Sequence, residues 1–116
     1  MNALMEIWHN KRCSKSRNAI QLLEEKNVQY DVFYYLDTPP DEQQIRAVVE
    51  KLGIKAEDLI RRGEKEFKEH FKGRKLSENE WIEAMAKFPK LIERPILIKG
   101  DKAAIGRPTE NLLDLL

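Results

Sequence analysis

The chain has 116 residues, a net charge of +1, 41% hydrophobic and 35% charged residues, and a single cysteine. That length suits one small domain, residues 1–116, with one core; the even charge balance lacks the basic excess of a nucleic-acid binder, and no run of about 18 apolar residues predicts a membrane span. One cysteine excludes an intrachain disulfide, and the opening MNALMEIWHN has neither a basic start nor a long apolar run, so a cytoplasmic protein with a reduced thiol is expected.

Residues 3–9, ALMEIWH, are mostly apolar and read as a short buried strand. From Ser14 the pattern turns helical: Ala19, Ile20, Leu22 and Leu23 predict an amphipathic helix over about 14–26, with Asn27 as its stop. Residues 28–36, VQYDVFYYL, are β-branched and aromatic and predict a second strand, so the first third reads as a right-handed parallel βαβ unit. DTPP breaks the chain and starts a helix at DEQQIRAVVEKLG, with Gly53 at its end. Residues 56–88 read as helical throughout, interrupted at Gly63 and Gly73; Ser77 and Glu80 have capping-box spacing, and Trp81, Met85 and Phe88 share a face. RPILIKG, 94–100, returns to strand, GDK is a tight turn and AAIG a short edge strand, together a hairpin. RPTENLLDLL closes as a helix with Pro108 early and an apolar stripe of Leu112, Leu113, Leu115 and Leu116. The order predicts an α/β, thioredoxin-like fold: a mixed sheet built βαβ then ββα, with a helical insertion over about 41–88.

Cys13 lies where the first strand ends and the first helix begins, among Lys11, Arg12, Lys15 and Arg17. Backbone N–H groups and the positive end of a helix dipole face such a position, and the nearby cations add positive potential. Both favour thiolate over thiol, and the thiolate is the nucleophile. His9 either hydrogen-bonds the loop backbone or shares charge with the thiolate; Ser16 either donates its hydroxyl to the thiolate or caps the helix. Arg94 and Arg107 each precede a proline at an element boundary beside the predicted sheet, and the arginine fork matches the paired oxygens of an oxyanion. Arg61 or Arg62, in DLIRRGEKE, is a third candidate. His9 and His70 are far apart and offer no zinc-ligand spacing, so no metal is expected.

HNKRCSKSRN resembles the H-N-x-x-C-x-x-S-R motif of the glutaredoxin-dependent arsenate reductases, in particular their uncharacterised bacterial branch. YLDTPP resembles the segment after that family's second strand, and LIRRGE, ERPILI and IGRPTENLLDLL resemble its three arginine-bearing segments, in the same order, over about residues 5–115. The resemblance implies a thioredoxin-like fold with a helical insertion, and an enzyme in which Cys13 attacks arsenate. It implies that Arg61, Arg94 and Arg107 bind the oxyanion, that His9 modulates the thiol, that Ser16 lowers its pKa by hydrogen bonding, and that Arg17 and Pro95 support the site, with Arg94–Pro95 a cis bond. The loop KRCSKS is more basic than the PACGTS type of familiar reductases.

Reduction of arsenate to arsenite takes two electrons, which a lone thiol cannot supply while also regenerating itself. The other thiols therefore come from outside, and glutathione followed by glutaredoxin fits; no bound cofactor is expected. Two other readings share the fold. One is an Spx-like transcriptional regulator that binds RNA polymerase, against which Ser16 stands where those proteins carry the second cysteine of a Cys-x-x-Cys switch. The other is a thiol oxidoreductase with a different substrate.

Overall fold

The computed structural model describes residues 5–116. Their contacts group the chain into two compact units, Met1–Thr38 with Arg94–Leu116, and Pro39–Glu93. The segment expected as a helical insertion falls in the second unit. Among the described residues no helix is long and apolar enough to cross a membrane.

The first unit is a four-stranded sheet. Its strands are β1 (Met5–Trp8), β2 (Asp31–Phe33), β3 (Ile96–Lys99) and β4 (Lys102–Ile105), in the order β2-β1-β3-β4. β1 pairs parallel with β2, placing Ile7 opposite Val32, and antiparallel with β3, placing Ile7 opposite Leu97. β3 and β4 form the expected hairpin, turning at Gly100, whose φ of 61° is open to glycine at little cost. Helix α1 (Ser14–Glu25) joins β1 to β2. With a 3-10 helix at Thr109–Leu115, these elements form the thioredoxin-like arrangement βαβ…ββ plus a closing helix. Met5, Ile7, Ala19, Leu23, Leu97 and Leu112 form the core, all buried. The opposite face of β1 carries Trp8, which stacks on Tyr35, meets Phe33 edge-on, and donates from its indole N–H to Glu6 at 3.1 Å.

Three elements differ from their sequence patterns. β2 is three residues, not nine, because it pairs only with β1 and because Tyr34 opens a turn: the N–H groups of Asp37 and Thr38 both donate to its carbonyl. The first strand begins at Met5; the expected start at residues 3 and 4 lies outside the described residues. The closing helix is 3-10 rather than α. Its three-residue turn stacks Leu112 on Leu115, so both face the core while Leu113 is exposed. α1 ends as anticipated: Asn27 takes a left-handed φ of 55° just beyond its last turn.

The second unit holds α2 (Glu42–Leu52), α3 (Lys65–His70) and α4 (Glu78–Lys87). α2 starts on a capping box between Asp41 and Gln44 and stops at Gly53 in the left-handed region. α4 has its own box between Ser77 and Glu80, and buries Trp81 and Met85. The helical stretch expected over 56–88, with interruptions at Gly63 and Gly73, is a 3-10 turn, Ala56–Leu59, then α3 and α4, with both glycines between elements. An antiparallel bridge from Ile60 to Ile92 occupies the backbone before Arg61, and Gly73 at φ 79° separates the two helices. Phe67, Phe71, Trp81 and Phe88 form the aromatic core of this unit.

Candidate active site

The loop after β1 is built around Asn10. Its carbonyl accepts from the Cys13 N–H at 3.0 Å, its side-chain oxygen accepts from the Arg12 N–H at 3.0 Å, and its own N–H donates to Ser16 Oγ at 3.0 Å. The chain turns tightly and delivers Cys13 as the residue preceding the first turn of α1, with φ −96° and ψ 122°. Ser16, Ala19 and Leu23 form the buried face of α1, so the helix is anchored to the sheet from the turn that adjoins the sulfur.

His9 and Ser16 are both buried, with His9 Nδ1 and Ser16 Oγ hydrogen-bonded at 2.6 Å. The hydroxyl expected to reach the thiolate is thus held by His9 and the Asn10 N–H. Ser16 acts on the sulfur through its main chain instead. His9 is held below the usual histidine range by burial, and further by the charges of Arg17 and Lys11. The imidazole bonded to Ser16 ties the end of β1 to α1; its partner is a helix hydroxyl rather than the loop backbone.

Cys13 is 8% exposed. Burial alone pushes its thiol pKa up, but the net shift is downward from 9.0, through the Ser16 N–H, a hydrogen bond from Arg94 together with its charge, and the Lys15 N–H. Neither amide makes a capping bond of ordinary geometry to the sulfur; their dipoles act from the first helical turn. The Ser16 amide leads the influences that lower the thiol pKa, and the side chain that joins it is Arg94, 81 residues away (94 − 13), rather than the cations that flank Cys13 in sequence. Arg17 donates from Nη1 to the Lys11 carbonyl at 2.9 Å, which ties the loop to α1.

Arg107 Nη2 donates to Cys13 Sγ at 3.4 Å, and Arg107 Nε donates to the Arg94 carbonyl at 2.8 Å. Cys13, Arg94 and Arg107 thus converge on one point, with Arg107 making direct contact and Arg94 supplying the charge that depresses the thiol. The Arg94–Pro95 bond is cis, and so is Arg107–Pro108. Arg61 lies in the second unit. Its Nε pairs with Glu64 at 3.6 Å and Glu93 at 3.8 Å, and its Nη1 is buried without a hydrogen-bond partner. Arg62 is exposed, pairs with Glu57 at 3.7 Å and covers the Phe67 ring. Among the described residues no group of His, Cys, Asp and Glu is placed to hold a metal ion.

Two supporting residues escaped the sequence reading. Asn10 stands inside the quoted HN…C motif, where its side-chain oxygen, accepting from the Arg12 N–H, is the bond that needs that residue type. Gly106, in IGRP, donates its N–H to the Pro95 carbonyl at 2.9 Å, and a Cβ there would lie 2.9 Å from Pro95 Cγ and 3.2 Å from Leu112 Cδ1. Gly106→Ala is expected to destabilise the protein by about 1–3 kcal/mol, because Pro95 and Leu112 are packed and must shift. Urea unfolding checks this, with Gly63→Ala as the control: nothing lies within 4 Å of a Cβ at Gly63. An unchanged midpoint for Gly106→Ala would remove the packing argument.

The depressed thiol has a direct readout. The rate of Cys13 alkylation plotted against pH should have its midpoint below that of the same cysteine in the urea-unfolded chain. Equal midpoints would mean that burial cancels the arginine and the amides.

The ArsC family model matches residues 8–115. An uncharacterised Escherichia coli protein, YfgD, is 42% identical over 118 residues, covering 100% of this chain and 99% of its own. An arsenate reductase of Neisseria meningitidis is 42% identical over 110 residues, covering 93% and 94%. The solved structure of an arsenate reductase from Vibrio cholerae superposes with a TM-score of 0.93 at 38% identity, covering 99% and 100%. With the strand order, the cysteine at the start of α1 and the arginines drawn to it, these similarities over nearly the full length establish that the chain belongs to the ArsC family.

Proposed function

We propose that this protein is an arsenate reductase that uses glutathione and glutaredoxin as outside thiols. The observation that carries the reading is the convergence of Arg107 and Arg94 on the sulfur of Cys13. Two guanidinium groups beside a thiolate suit a tetrahedral oxyanion, because they neutralise its charge while the nucleophile approaches its centre. The Cys13 thiolate attacks arsenic, and one arsenate oxygen, protonated, leaves as water. Glutathione then attacks the adduct. Arsenic takes up two electrons and departs as arsenite, while Cys13 and glutathione are left joined by a disulfide. Glutaredoxin reduces that disulfide and frees Cys13. Arg94 and Arg107 bind the oxyanion in this scheme, and His9, Ser16 and Arg17 hold the loop.

The test is arsenate-dependent NADPH oxidation in the presence of glutathione, glutaredoxin and glutathione reductase. Turnover that needs all components is expected. Absence of turnover, or turnover without glutathione, would overturn the scheme.

A further inference from the structure

Arg62, which the proposed chemistry does not use, lines a cavity of about 360 Å³ with Glu57, Arg74, Lys75, Leu76 and Trp81. All six residues belong to the second unit, and none takes part in the convergence on Cys13. Aromatic packing of α3 against α4 builds this place. Phe67 and Phe71 both meet the Trp81 ring, with centroids 6.3 Å and 6.0 Å away, and Trp81 is 3% exposed. Each of the two phenyl rings carries a guanidinium: Arg62 stands 5.3 Å over Phe67, and Arg74 stands 5.6 Å over Phe71. Gly73, at φ 79°, turns the chain after α3, and Arg74 Nη1 donates to the His70 carbonyl at 3.1 Å. Both arginines are thus braced on rings that pack against Trp81, so gripping a ligand costs them little side-chain freedom.

The lining sets three cations against one carboxylate, over an apolar floor of Leu76 and Trp81. Glu57 pairs with Arg62 at 3.7 Å, and among the described residues no carboxylate forms an ion pair with Arg74 or Lys75. The acids in the first turn of α4 are committed elsewhere. Both Glu78 oxygens accept from the Ala56 N–H, at 3.1 Å and 3.0 Å. Glu80 accepts from the Ser77 N–H at 2.9 Å and lines a separate cavity on the other side of Arg74. We infer that the cavity of Arg62, Arg74, Lys75 and Trp81 binds a phosphate monoester whose organic part is a small ring or chain. Such a phosphate carries about −1.5 to −2 charge at pH 7, which matches the positive excess, and its oxygens suit two arginine forks and an ammonium. A single carboxylate brings less charge and only two oxygens. The organic part rests on Leu76 and Trp81. The volume lies at the small end of ligand cavities, which run from about 300 to 1,000 Å³, so it admits a ring-sized body rather than a dinucleotide.

The test is titration of the nitrogen-15-labelled protein with phenyl phosphate, followed by heteronuclear NMR at neutral pH and about 0.15 M salt. The Trp81 indole and the Lys75 and Leu76 amides report this cavity. The Cys13 and Ser16 amides report the cysteine site, where an oxyanion is expected to bind in its own right. Saturable shifts at the first set are expected. Inorganic phosphate has the charge without the ring, and benzyl alcohol the ring without the charge; each should bind there about 10-fold more weakly or worse. Arg74→Gln with Lys75→Gln should weaken phenyl phosphate about 10-fold or more at the cavity and leave its affinity at the Cys13 amides unchanged. Lys75→Gln alone, an exposed side chain in no ion pair, should weaken it about threefold and stands as the test should the double variant not fold. The proposal is overturned by unsaturable or absent shifts at the Trp81 set, by equal binding of inorganic phosphate or benzyl alcohol, or by unchanged affinity in the variants. Shifts confined to Cys13 and Ser16 overturn it and leave the proposed reductase site standing. Binding at the cavity in a protein that does not reduce arsenate supports it without that reaction.

Discussion

Cys13→Ser is expected to abolish arsenate-dependent turnover, a loss of about 10⁴-fold or more, because it removes the group that bonds to arsenic and no second cysteine can replace it. The substitution is nearly isosteric, and the Ser16 and Lys15 amides and the two arginines remain, so anion binding should persist. Isothermal titration with arsenate separates the two effects: binding within a few-fold of wild type, with turnover lost. Residual turnover comparable to wild type would sink the nucleophile assignment. The same variant has a signature in stability. In the native protein the thiol pKa lies below its unfolded value, so between those two values the unfolded chain binds more protons, and unfolding free energy rises with pH. The contribution is fully present above the unfolded pKa and is lost as pH falls through the folded pKa. Cys13→Ser should erase that part of the slope, measured by urea unfolding across pH 6 to 10 (a range of about four units around the thiol region).

Arg94→Ala and Arg107→Ala should each lower kcat/KM by about 10²- to 10³-fold, the scale of losing one preorganised charged donor at a reacting centre. Their effects on the thiol should differ. Arg94 both hydrogen-bonds the sulfur and acts on it by charge, so its removal should raise the alkylation midpoint of Cys13. Arg107 donates to the sulfur at 3.4 Å and also holds the Arg94 carbonyl, so its loss should disturb placement more than charge. Arg94→Lys should restore much of the alkylation midpoint without restoring turnover, since an ammonium keeps the charge and lacks the planar fork. Equal midpoints for wild type and Arg94→Ala would return the cause of thiol activation to the helix amides alone.

The fold and the catalytic proposal also show which kinds of information a sequence carries. The strand-helix-strand start, the capping box at Ser77, the stop at Gly53 and the final hairpin are local patterns, decided by residues within a turn or two of each other, and they are legible in sequence for that reason. Cys13 at the strand-to-helix junction belongs with them, as does the helix N-terminus beside it. Element lengths were less legible. β2 stops after three residues because it pairs with β1 alone and the Tyr34 carbonyl takes up the N–H groups of Asp37 and Thr38 in a turn. The breaks near Gly63 and Gly73 were legible, but not the pairing of the Arg61 N–H with the Leu91 carbonyl and of the Glu93 N–H with the Leu59 carbonyl, which local propensity cannot anticipate.

What the sequence by itself determined is that the chain's one thiol opens a helix in a thioredoxin-like sheet and has no second cysteine in the chain to pair with. Only the tertiary structure decided which charges reach that thiol. The basic loop suggested Lys11, Arg12, Lys15 and Arg17, because they are neighbours in the chain. The sheet pairs β1 with β3 and so carries Arg94 to the sulfur, while the closing segment brings Arg107 across 94 residues. Electrostatic influence in a folded protein follows distance and solvent exposure, not chain separation. The flanking side chains extend into water and are screened, whereas the arginines, placed by β-pairing and partly buried, act on the thiolate directly.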